Sequence, residues 1–137
     1  MKPLRTTLAL AGSAAVTLAL LATPAWAGTS RVSKSGHGCK VTASVNWNSS
    51  ANRYTYSGKA GCSSRRSMKL WCFPVHRHSF SWHSHTGDII QNGPRTTTSL
   101  GVGPATKRGT NGDRYKINCK LEVPRGRVVV ETGQFNL

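Results

Sequence analysis

Two adjacent segments alternate apolar or small residues with polar ones, which predicts a single antiparallel hairpin. Residues 39–47 carry Cys, Val, Ala, Val and Trp at odd positions, and residues 53–62 carry Tyr, Tyr, Gly, Ala and Cys at even positions. When the chain turns over 48–52, Cys39 lies opposite Cys62 and all the apolar partners share one face. A slip of one residue would move both apolar rows to the opposite face, so the pattern specifies the register.

The four cysteines predict two disulfides. Opposed residues of an antiparallel pair have Cα atoms about 4.5 to 5.5 Å apart, a separation that a disulfide tolerates. The hairpin register therefore predicts Cys39–Cys62, which leaves Cys72–Cys119, both in the middle of strand-like runs. The alternative pairs Cys62 with Cys72, which closes a short local loop and leaves the other two to bond each other. Zinc is the weaker interpretation, because closely spaced Cys-x2-4-Cys pairs are lacking.

The remaining sequence favours an all-β fold. Further period-two runs occupy 68–72, 115–123 and 127–132, and glycine and proline recur between 87 and 112 without helical periodicity. We predict a small antiparallel β-sandwich, Ig-like or Greek-key, or a partly open barrel, stapled by two disulfides. The stretch 85–113 is predicted to hold one or two short strands, with 96–102 the best candidate, joined by wide loops.

The first 27 residues predict a cleaved Sec signal peptide. Two basic residues precede an apolar run over 8–21, and Ala25-Trp26-Ala27 is a small-x-small cleavage pattern. The run is shorter than the roughly 20 residues that span a bilayer. We therefore expect a secreted, extracellular monomer with no stable transmembrane insertion. Residues 28–38 are expected to be a flexible N-terminal segment, and residues 39–137 a single disulfide-linked β domain.

The charge is strongly positive. Nineteen Lys and Arg stand against four acidic residues, for a net charge of +15. Two of the cations belong to the predicted signal peptide, so the rest of the chain keeps 17 and a net charge of +13. Such a field attracts anionic polymers and surfaces. With only four acidic residues, hydrolysis by a pair of carboxylates is disfavoured. If all four cysteines form disulfides, no thiol nucleophile remains.

The strand around Cys72 supplies the candidate binding residues. If Leu70 and Cys72 face the core, the alternate residues project outward among cations, where aromatic rings can stack on sugars or bases beside anionic groups. The predicted binding residues are Trp71, Phe73, Lys69, Arg65, Arg66 and Arg77, and Trp82 extends the same surface. The alternative is that the 85–113 stretch folds over this face and buries both rings.

Four of the five histidines form two His-x-His pairs, His76/His78 and His83/His85. On a strand such a pair projects both rings to one face, a spacing that can chelate Zn²⁺ or Cu²⁺. A turn over 79–81 would bring the two pairs face to face. The surrounding positive charge disfavours a dication, and a His/Ser tract is also typical of a solvated loop. These four residues are weak metal candidates, and we predict no metal or other cofactor.

Three functions fit these features. The leading hypothesis is a secreted, non-enzymatic basic β-domain that binds a polyanionic partner (wall polymer, nucleic acid or membrane surface), with an antimicrobial role among the outcomes. The alternative is an inhibitor of a secreted hydrolase, with Cys72-Phe73-Pro74 as a loop pinned beside a disulfide. A remote alternative is a secreted ribonuclease that uses one histidine from each pair and Arg77.

Overall fold

The computed structural model describes residues 27–137 as an all-β domain. Eight strands follow in order: β1 (Ala27–Gly36), β2 (Cys39–Asn48), β3 (Arg53–His78), β4 (Ser81–Ser84), β5 (Ile90–Arg108), β6 (Arg114–Val123), β7 (Gly126–Glu131) and β8 (Phe135–Asn136). Within these residues the only helical elements are two short 3₁₀ turns, Ser49–Ala51 and Thr86–Asp88. The predicted all-β class is confirmed.

The strands form one antiparallel sheet that is nearly closed into a barrel. The hydrogen-bonded path runs β1-β2-β3-β6-β7; β4 and β5 pair with β3, and β8 pairs with β6. The first half of the long strand β3 pairs with β2, and its second half pairs with β6. The end strands β1 and β7 approach each other. The amide of Gly133 donates to Ser30 Oγ across this seam at 2.9 Å.

The core lies between the two halves of the sheet. The alternating apolar residues of β2, β3 and β6 fill it, among them Val41, Tyr56, Leu70 and Ile117, each no more than 1 % exposed. Because side chains alternate between the two faces of a strand, the polar residues of β6 are left on the outer surface. The outward-facing residues of β3 and β6 form the surface described in the next subsection.

Both predicted disulfides are confirmed. Cys39 bonds Cys62 and Cys72 bonds Cys119, each across directly opposed positions of neighbouring strands. The central bond has no side-chain room to spare, because a Cβ built on Gly58 would lie 2.3 Å from Cys72 Sγ and 3.0 Å from Cys119 Sγ. The glycine predicted to lie in the first hairpin's apolar row therefore makes space for the second disulfide.

The predicted hairpin register is confirmed as well. Cys39 pairs with Cys62, Val45 with Tyr56 and Trp47 with Tyr54. The turn is a 3₁₀ turn capped by Asn48, whose Oδ1 accepts from the Ala51 amide at 3.2 Å.

Two expectations about irregular segments are corrected. The segment 28–38, predicted to be flexible, contains most of β1 (Ala27–Gly36), which pairs along its whole length with β2. Most side chains of β1 are polar or charged, so the segment shows no apolar alternation by which a strand could be predicted. A strand at the edge of a sheet can pair through its backbone without such a pattern. The stretch 85–113 contains one long strand, β5, whose pairing with β3 has three irregularities, rather than one or two short strands between wide loops.

The predicted signal peptide covers residues 1–27. All of it except Ala27 lies outside the described part of the chain. In residues 27–137 there is no helix long and apolar enough to cross a membrane.

Candidate polyanion-binding face

The outer surface of the second half of β3, together with β4, β6 and β7, carries cations and aromatic rings side by side. We call it the basic aromatic face and define it by seven residues: Lys69, Trp71, Phe73, Trp82, Lys116, Lys120 and Arg127. The β3 members alternate with the buried Met68, Leu70 and Cys72, so they point away from the core. The register places Trp71 opposite Lys120 on β6.

Each ring of the basic aromatic face has a cation next to it. Trp71 has two, with Lys69 Nζ 5.5 Å and Arg127 Cζ 5.8 Å from its ring centroid. Lys116 Nζ lies 4.5 Å from the Trp82 ring. Lys120 Nζ lies 5.3 Å from the Phe73 ring. These separations fall within the range of cation–π attraction, which holds the ammonium and guanidinium groups over the rings.

Carboxylates neutralise only part of this face. Lys116 is paired with Glu131 at 3.0 Å, and Arg127 lies 3.8 Å from Glu122. Lys69 and Lys120 have no carboxylate within 4 Å anywhere in residues 27–137. Glu122 is the cross-strand partner of Lys69, but the cation within 4 Å of its carboxylate is Arg127. Of the four cations of this face, Lys69 and Lys120 are therefore the ones most available to an anionic ligand.

The two predicted stacking rings differ in accessibility. Trp71 is partly exposed, while Phe73 is only 7 % exposed although it points away from the core. Phe73 thus does not offer a free ring face. Its ring instead provides an apolar surface for the Lys120 side chain, because long charged side chains pack their methylene groups on apolar surface.

The predicted arginines lie apart from the central rings. Arg66 donates through Nη1 to the His37 carbonyl at 2.5 Å and through Nη2 to Ser64 Oγ at 2.6 Å, at the end of the sheet near the β1–β2 turn. Arg65 is exposed beside it in β3. Arg77 lies near the C-terminal end of β3, in register with Trp82. Of the six predicted residues, Lys69, Trp71 and Phe73 come together on this face, and Arg77 lies at its edge.

Sequence reasoning missed Lys116, Lys120 and Arg127. The signal was present, since Lys116 and Lys120 occupy the outward positions of the 115–123 alternation. It became interpretable only with the strand order, which places β6 directly beside the Trp71 segment of β3.

The histidines gather on the inner side of the β3–β4 hairpin. His76 lies opposite His83, with ring centroids 5.7 Å apart, and hydrogen-bonds His85 through Nδ1 and Nε2 of the respective rings. His78 turns away and meets Asp113 Oδ1 at 3.1 Å. The expected turn that brings the two pairs together is present, but His78 separates from the other three.

The positions of these histidines bear on the metal and ribonuclease hypotheses. Within residues 27–137, no group of three or more His, Cys, Asp or Glu side chains is placed to hold a metal ion. Arg77 points to the opposite side of β3 from His76, and its Nε donates to the Ser79 carbonyl at 3.1 Å. Of the four histidines named for a ribonuclease, only His78 lines a cleft together with Arg77, and neither His83 nor His85 lines that cleft.

Acidification is expected to destabilise the domain through His76. Its pKa lies below the ordinary value of 6.5, because burial disfavours the charged ring and because His85 and His83 repel a proton there, while Asp113 acts in the opposite direction. The unfolded chain then binds more protons than the folded one. Stability from this group is complete above about pH 6.5 and falls as the pH drops below it.

An NMR titration of the His76 ring, with urea unfolding at about pH 7.5 and about pH 5.5, measures both effects. We expect His76→Gln to flatten the dependence of the unfolding free energy on pH. A ring that titrates at or above 6.5 would contradict the prediction.

Comparisons with known proteins add no functional assignment: no protein-family model matches the chain, and no curated protein sequence matches it either.

Proposed function

We propose that this is a secreted, non-enzymatic protein that binds a polyanionic partner outside the cell through the basic aromatic face. The observation that carries the proposal is Trp71, a partly exposed ring with Lys69 and Arg127 both within 6 Å of its centroid and Lys120 opposite it on the neighbouring strand. Two disulfides suit an oxidising compartment. The predicted signal peptide also indicates an extracellular location.

The chemistry of the face favours a chain-like anion over a compact one. The Lys69 ammonium lies against the Trp71 ring, whose exposed part can stack on a sugar or base, and Lys120 is the cross-strand partner of Trp71. The residues of the face lie on strands whose backbones are already paired with their neighbours. Partners that carry such anionic groups are a wall polymer, a nucleic acid or a membrane surface.

The salt dependence of binding tests the proposal. Titration of the protein with fluorescently labelled heparin, a model polyanion, should give an affinity that falls steeply between about 50 and about 200 mM salt, because binding releases condensed counterions. Trp71→Ala should weaken binding at both salt concentrations while leaving the slope nearly unchanged. An affinity that is indifferent to salt, or no binding at about 50 mM, would refute a polyanion partner.

A second candidate, inhibition of a secreted hydrolase, has one observation in its favour. The expected inhibitory segment Cys72-Phe73-Pro74 is not a loop, because it lies inside β3 and is buried. The exposed loop lies at the tip of the β3–β4 hairpin, where the Phe80 side chain is 91 % exposed. A loop-in-cleft inhibitor would insert Phe80, so its inhibition of the hydrolase would be nearly indifferent to salt, whereas heparin binding through the basic aromatic face would not.

A further inference from the structure

A separate cleft lies beyond the Trp82 edge of the basic aromatic face, at the end of the sheet where β3 and β6 meet the 109–113 turn. Its volume is about 400 Å³, and its lining residues are Arg77, His78, Ser79, Gly112, Asp113 and Arg114. The cleft brings two guanidinium groups and one imidazole to a single concave place. None of the seven residues that define the basic aromatic face lines it.

The two arginines are an unfavourable pair in the protein alone. Arg77 and Arg114 are direct cross-strand partners, and like charges at such positions repel each other. Neither has a carboxylate within 4 Å in residues 27–137. Only Nε of Arg77 is engaged, through its bond to the Ser79 carbonyl. This bond fixes the guanidinium plane and leaves its terminal nitrogens for another acceptor.

The acid in the cleft is already committed. Asp113 is 8 % exposed, and its Oδ1 lies 3.1 Å from Nδ1 of His78, whose own side chain is 73 % exposed. The carboxylate thus holds the imidazole at the cleft rim, and it does not reach within 4 Å of either arginine. Two guanidinium groups and the Asp113 carboxylate line the cleft. The terminal carboxylate of Leu137 lies next to it, where one of its oxygens accepts from the Gly112 amide.

We propose that this cleft binds a phosphate monoester, with the tetrahedral dianion held between Arg77 and Arg114. Guanidinium forks match phosphate oxygens in bidentate geometry, and two unpaired cations match a charge of −2 better than that of a carboxylate or a phosphodiester. The inference deepens the proposed function and rests on it for the polymer, whose terminal phosphate is the group recognised here.

The test uses inorganic phosphate as the probe and NMR of the ¹⁵N-labelled protein as the readout. Phosphate should shift the amide signals of residues 77–79 and 112–114 in a saturable way. Dimethyl phosphate, a monoanionic diester, should bind more weakly. Arg114→Lys keeps the charge but removes the fork, and it should weaken phosphate binding about fivefold or more. Arg95→Lys, the same change at an exposed position of β5, should leave the affinity unchanged.

Three results would overturn the site: shifts spread over all surface cations, equal affinities for the two phosphates, or Arg114→Lys binding as tightly as wild type. Unfolding curves of both variants establish that they are folded. The outcome is independent of the polymer test. Saturable phosphate binding in a protein that fails to bind heparin would remove the proposed function and keep this cleft. The converse result would remove the cleft alone.

Discussion

Replacing Cys72 and Cys119 together with alanine is expected to lower the free energy of unfolding by about 4 kcal/mol, since the bond closes a long loop in the unfolded chain. The sequence separation is 47 residues, against 23 for Cys39–Cys62. Both sulfurs of the central pair are fully buried among β2, β3 and β6, beside the space left by Gly58. Truncation there also leaves a cavity, which adds to the loss because a packed core relaxes only in part.

The matched control is the Cys39→Ala/Cys62→Ala double variant. Its loop is shorter, for an expected loss of about 3 kcal/mol, and it lies at the sheet end where Cys62 is only partly buried. Urea unfolding of both variants under nonreducing conditions, monitored by tryptophan fluorescence, gives the order. If the terminal pair costs more than the central pair, our account of the core is wrong.

Removing the two unpaired lysines of the basic aromatic face is expected to weaken heparin binding on the order of tenfold per lysine at about 50 mM salt, because each ammonium that contacts the polymer releases counterions. Lys69 and Lys120 are the relevant pair, since both lie against aromatic rings and neither has a carboxylate partner in residues 27–137. Lys69→Gln/Lys120→Gln should also reduce the slope of log affinity against log salt by about 2.

A variant with the same net charge provides the control. Lys40→Gln/Lys59→Gln removes two exposed lysines from the outer surface of the opposite half of the sheet, on β2 and on the first half of β3. Its affinity for heparin should fall much less at every salt concentration. Equal losses in the two double variants would mean that binding follows the total charge of the protein, with no dedicated face.

Local pattern predicted the first hairpin and, through it, both disulfides. The alternation over 39–47 and 53–62 has one register that buries all apolar residues, so Cys39 and Cys62 had to face each other. The same reasoning failed for 27–36, because a polar edge strand is specified by backbone hydrogen bonds that carry no side-chain signal. It failed for β5 because Gly93, Pro94, Gly103 and Pro104 resemble loop residues, whereas they sit within a long irregular strand.

For the candidate site, the sequence by itself determined that Lys69, Trp71 and Phe73 share the side of β3 that faces away from Cys72, since alternation along a strand is a local property. Only the tertiary structure decided that β6 is the neighbour of this segment, which brings Lys116 and Lys120 to the rings and buries Phe73. It likewise decided that Arg66 bonds to the His37 carbonyl and that Arg77 meets Arg114. Which distant cations share a surface depends on strand order, and strand order follows from how the whole chain buries its core rather than from any one segment.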